Sequence, residues 1–108
     1  MPLRKERQRA RFLYIPYPSV EREIEIVKSK IPDADEDTVS KVVKIVHNIR
    51  NLNLLKKPSV RGTVDWVKSV SHLNAKNTNE AMKESIGVAI KNESDKKRVI
   101  KDVLDKDY

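Results

Sequence analysis

The chain has 108 residues, 38% hydrophobic and 36% charged, with 2 glycines, 5 prolines and no cysteine. That length suits one domain, and the composition excludes a collagen-like or linker sequence, disulfides and thiolate metal sites. The net charge of +7 points toward polyanions, but residues 1–11 alone hold +4, from Arg4, Lys5, Arg7, Arg9 and Arg11 against Glu6, and leave +3 on the rest. Acids and bases interleave over that remainder, as on a solvated helical surface.

No apolar run approaches the roughly 20 residues of a membrane helix, and Met1-Pro2-Leu3-Arg4-Lys5-Glu6-Arg7 carries charge where a signal peptide needs its apolar stretch. A cytoplasmic protein is expected, without membrane contact. In chain order, residues 1–11 are expected to form a basic, flexible arm, and 12–108 one helical domain. Phe12-Leu13-Tyr14-Ile15 has β propensity and is closed by Pro16-Tyr17-Pro18, so a short extended segment is expected. A lone strand has nothing to pair with, so the segment is either a plain apolar anchor or a strand parted from its sheet.

Ser19 caps a first helix to about Lys30, with Val20, Ile24, Val27 and Ile31 at helical spacing and Glu21 and Glu23 at the positive end of the dipole. Pro32 stops it. The acidic run 33–37 supplies a loop and the next cap, and Val39, Val42, Val43, Val46 and Ile49 stripe a second helix to about Asn51. Residues 51–58 read as a loop with buried leucines. Ser59 caps a third helix with Val60, Val64, Val67 and Val70 on one face and Trp66 beside them, ending near Leu73-Asn74. Asn77-Thr78-Asn79 starts a fourth, with Met82, Ile86, Ala89 and Ile90 inward. Ser94 caps the last, with Val99, Ile100, Val103 and Leu104 inward. The expectation is an all-α fold: a small bundle of four to five helices preceded by a short extended segment.

The only glycines, Gly62 and Gly87, precede no lysine, so the chain has no phosphate-cradling P-loop and no dinucleotide fingerprint. It cannot hydrolyse a nucleotide alone. His47 and His72 lie on separate predicted helices without a zinc spacing, and no metal site is expected. The carboxylates of 33–37 and Asp102, Asp105 and Asp107 stand in charged, solvated settings unsuited to acid catalysis. Arg61 is different. It falls in the first turn after the Ser59 cap, where a helix already carries positive partial charge, and positive charge beside free N–H groups is how an anion site is built. The plainer alternative is an exposed Arg, or one paired with Asp65 at i+4. Trp66 among valines reads as core.

Two stretches carry a family resemblance. Arg11-Phe12-Leu13-Tyr14-Ile15-Pro16-Tyr17-Pro18-Ser19-Val20-Glu21-Arg22-Glu23 resembles the segment by which MoxR-like AAA+ ATPases leave the nucleotide-binding sheet and start the helical lid. Lys57-Pro58-Ser59-Val60-Arg61-Gly62-Thr63-Val64-Asp65-Trp66 resembles the lid segment bearing that family's second sensor, closest to the branch linked to carbon monoxide dehydrogenase maturation. The resemblance spans most of 11–104. It implies the C-terminal helical lid, with Arg61 as the sensor-2 arginine on the nucleotide's phosphates. Arg11, or Arg9 before it, is implied as the arginine finger presented to a neighbouring subunit's ATP. ATP and Mg would be cofactors of the full-length protein, not of this chain alone. The partners implied are an AAA+ core domain, neighbouring subunits of a homo-oligomeric ring and a client metalloprotein. The P-loop, the Mg-binding acidic motif and the first sensor are absent, so the expectation is a piece beginning near the end of the core domain, or a free-standing product. The rival expectations are a basic helical module binding nucleic acid through residues 1–11, and a plain protein-interaction bundle.

Overall fold

The computed structural model describes residues 17–73 and 77–105, which contain five α-helices and no strand. The first, α1 (Val20–Lys30), starts where the Ser19 hydroxyl accepts from the Arg22 N–H at 3.1 Å, and it carries acids in its first turn and lysines in its last. It ends at Ile31, ahead of Pro32. Helix α2 (Glu36–Arg50) is capped by the Asp35 carboxylate, which accepts from the Thr38 N–H at 3.1 Å. Its Val39, Val42, Val43, Val46 and Ile49 are wholly buried. A helical valine costs up to about 0.7 kcal/mol against alanine, whereas burying it returns about 1.5–3 kcal/mol. Packing therefore decides the matter, and α2 is helical because it is buried.

Helix α3 (Val60–His72) is capped by Ser59, whose hydroxyl accepts from Gly62 N at 3.1 Å. It buries Val64, Trp66, Val67 and Val70, and the Trp66 indole N–H is satisfied by the Ser85 hydroxyl at 3.1 Å and the Met82 carbonyl at 3.3 Å. Helices α1, α2 and α3 pack pairwise on one another. Next, α4 (Thr78–Glu84) is capped by Asn77 and packs on α2 and α3. Helix α5 (Glu93–Val99) runs without interruption into a wider π turn, Ile100–Leu104, which closes over α4 and α2. Of the expected inward set on this last element, Val99, Val103 and Leu104 are buried and Ile100 is half-buried.

Three local expectations need correction. The fourth helix does not run on to Ile90. It stops at Glu84, and Ile86–Val88 form a short 3-10 turn. At this point the Ser85 hydroxyl donates to the Ala81 carbonyl at 2.7 Å while accepting from Trp66, and Gly87, a poor helix former, follows two residues on. Second, the cap of the last helix is Asn92 rather than Ser94. The Asn92 side chain accepts from the N–H groups of both Ser94 and Asp95, which leaves Ser94 inside the first turn. Third, the leucines of the 51–58 loop are not all buried: Leu52 and Leu54 are partly covered, but Leu55 is 77% exposed. The expected extended segment Phe12–Ile15 lies outside the described residues, as does Asp107.

Candidate functional site

Arg61 occupies the first turn of α3, and its side chain is 87% exposed. The nearest carboxylate is Asp65, one turn along, at 3.9 Å from Nε. That separation is beyond hydrogen-bond length, and a surface pair of this kind contributes about 0–1 kcal/mol. The guanidinium is thus only loosely tethered. Beside it, the Ser59 hydroxyl and carbonyl serve the N–H groups of Gly62 and Thr63, so the cap leaves the Val60 and Arg61 N–H groups without an acceptor among the described residues. Lys56 and Lys57 are exposed just upstream. The start of α3 therefore combines an exposed arginine with two open donors, and two exposed lysines lie close before it in sequence. Arg9 and Arg11, the candidate finger residues, lie outside the described residues.

Behind this face sits a cluster that local sequence patterns did not disclose. Glu23 is entirely buried and Arg50 is 6% exposed. The two form a bidentate pair, Nη1 to Oε1 at 2.7 Å and Nη2 to Oε2 at 2.8 Å. His47 Nε2 lies 2.8 Å from the same Oε1, within reach for its N–H to donate. The rest of the guanidinium is also occupied. Its Nε donates to the Pro58 carbonyl at 2.9 Å, its Nη2 reaches the Thr63 hydroxyl at 3.3 Å, and its carbon lies 4.0 Å from the centre of the Tyr17 ring. Burial pushes the Glu23 carboxyl upward, but the Arg50 hydrogen bonds, the Thr63 hydroxyl, the Arg50 charge and His47 outweigh it, and the group titrates below its ordinary value of 4.5. At neutral pH it is a satisfied carboxylate with no proton to give.

The cluster is consequently a fastener. One guanidinium holds Tyr17 at the lead into α1, Glu23 in the first turn of α1, and Pro58 just ahead of the cap of α3. The 17–18 segment and the backbone just ahead of α3 are thereby held by the same guanidinium. The signal for this lay in the apolar stripes. Glu23 falls three residues after Val20 and four before Val27, Arg50 four after Val46, and Thr63 three after Val60. Each stands on a buried face, and a charge on a buried face demands a partner.

The neighbouring loop is held in a similar way. The Asp95 carboxylate, 4% exposed, accepts from the N–H groups of Leu55 and Lys56, both at 3.0 Å. Tyr17, Pro18, His47, Leu54, Lys57 and Ser59 line an open groove of about 850 Å³ between this loop and the lead into α1. Among the described residues no three His, Asp or Glu side chains converge as a metal site would require, and no helix is long and apolar enough to cross a membrane. Compared with protein-family models, curated proteins and solved structures, the chain matches none.

Proposed function

We propose that this chain is the helical lid of a MoxR-like AAA+ ATPase, with Arg61 as the side chain that senses the nucleotide's terminal phosphates. The observation that carries this reading is the placement of Arg61: an exposed, loosely tethered guanidinium in the first turn of a capped helix, beside two open N–H donors. A phosphate in front of that turn would gain charge-assisted hydrogen bonds from the guanidinium and favourable interaction with the helix end. ATP and ADP differ by one phosphate, so the pull on Arg61 changes with hydrolysis. The Arg50 fastener supplies a route from Arg61 to the Tyr17–Pro18 lead, because it bonds to Pro58 at one end and covers Tyr17 at the other.

On this reading the chain hydrolyses nothing by itself. ATP and Mg are held by a core domain bearing a P-loop, and the assembly is a cytoplasmic homo-oligomeric ring that remodels or matures a client metalloprotein. Arg11 or Arg9 would serve the neighbouring subunit's ATP. The test is ATP hydrolysis by the chain joined to such a core. Replacement of Arg61 by Ala should lower kcat by about tenfold or more, in keeping with loss of a charged contact to a transferring phosphoryl group. Unchanged hydrolysis in Arg61→Ala would remove the role assigned to this residue.

A further inference from the structure

Helix α2 is packed on most sides, with α1, α3, α4 and the π turn all lying against it. One face stays open. Lys41, Lys44, Asn48 and the C-terminal cap Asn51 are exposed, and steps of three, four and three residues put them on one side of the helix. Other surface bases meet acids: Arg22 pairs with Glu25, Lys28 with Glu36, Lys83 with Asp105 and Lys96 with Glu93. Lys41 and Lys44 have no ion-pair partner among the described residues, and Asp37, one turn before Lys41, makes none with it. At its far end the stripe runs on, because Asn51 lines the same groove as the exposed Lys56 and Lys57.

The chemistry of this face selects its partner. Lysine ammonium and asparagine amide groups offer N–H donors, which suit phosphate oxygens. None of the exposed positions on α2 is apolar, so the face lacks the anchor that a protein interface or a bilayer surface requires. It also holds no Phe, Tyr or Trp, the side chains on which the bases of a single strand stack. A duplex, which presents its phosphates outward, needs neither. From Lys41 to Asn51 the helix rises about 15 Å, over which one strand of a duplex passes about four phosphates.

We infer that the open face of α2 binds the backbone of double-stranded nucleic acid, with Lys41 and Lys44 on phosphates, Asn48 and Asn51 donating amide N–H groups beside them, and Lys56 and Lys57 extending the contact. The contacts go to the backbone, so binding is independent of sequence and weakens steeply with salt. It uses neither Arg61 nor the Glu23–Arg50 cluster and stands apart from the nucleotide reading.

Fluorescence anisotropy of a short labelled DNA duplex of mixed sequence, titrated with the whole chain at stepped salt, tests this, with circular dichroism confirming that each variant stays folded. The wild type should bind with a Kd below about 100 µM, the weak end of sequence-independent association. Lys41→Gln with Lys44→Gln should weaken binding about tenfold or more and make the slope of log K against log salt shallower by about 1.8, the share of two phosphate contacts. Lys30→Gln with Lys68→Gln removes the same charge from exposed positions on α1 and α3, and should weaken binding by about twofold at most. The bases of residues 4–11 are common to every variant, so the difference between the two pairs belongs to α2. A wild type that leaves the duplex free, a Lys41 and Lys44 variant that binds like the wild type, an equal loss in the Lys30 and Lys68 variant, or binding to phosphatidylserine vesicles without binding to the duplex overturns the inference.

Discussion

Replacing Arg50 by Met removes the guanidinium paired with a carboxylate that has no solvent exposure. Four hydrogen bonds go with it: two to Glu23, one to the Pro58 carbonyl and one to the Thr63 hydroxyl. Stranding a buried charge in this way costs about 3–5 kcal/mol, a large share of the roughly 5–15 kcal/mol that stabilises a domain of this size. Urea unfolding followed by circular dichroism should show the midpoint falling by about a fifth or more. The double variant Glu23→Met with Arg50→Met should recover most of that loss, because a buried pair replaced whole by apolar groups is often close to neutral. What remains is the unmet Pro58 carbonyl and the His47 ring nitrogen that has lost Glu23, each worth about 1 kcal/mol. The double-mutant cycle should therefore yield a coupling of several kcal/mol. A loss below about 1 kcal/mol for Arg50→Met, or a double variant as unstable as the two singles combined, would refute the reasoning.

Three further outcomes are expected. The Glu23 carboxyl titrates below its ordinary 4.5, so its stabilisation is complete above about pH 4.5 and is lost as the pH falls through the lower folded-state value; Glu23→Gln should flatten the stability curve over that acid range, as read by unfolding at stepped pH. Asp95→Ala leaves the Leu55 and Lys56 N–H groups without their acceptor, so hydrogen exchange at those two amides should accelerate and stability should fall by about 1–3 kcal/mol. Gly62 lies in a helix without positive φ, and an added Cβ would meet Ala89 Cβ at an ordinary 3.5 Å; Gly62→Ala should raise stability by about 0.5–1 kcal/mol in thermal unfolding.

The helices were legible because each signal was local. Ser19 and Ser59 cap the helices they were expected to cap, the fourth helix starts within the expected Asn77-Thr78-Asn79, and the valine stripe of α2 is the buried stripe. Errors fell at element ends that also make long-range contacts. Ser85, where the fourth helix stops, is bonded to Trp66. Asp95, in the first turn behind the Asn92 cap, accepts from a loop some forty residues earlier. The Glu23–Arg50 pair shows the same limit. Periodicity marks both residues as facing inward, but nothing in either stripe says that positions 27 apart face each other. Arg61 was visible because its oddity is local, a cation at the wrong end of a helix dipole.

A phosphate-sensing start of α3 is open to direct test by amide chemical shifts of the chain titrated with ATP and, separately, with AMP. ATP, with its terminal phosphates, should move the Val60, Arg61 and Gly62 resonances more than AMP does, and Arg61→Ala should remove the difference. Equal responses to both nucleotides, or an ATP response that survives Arg61→Ala, would contradict a phosphate-sensing role for the start of α3.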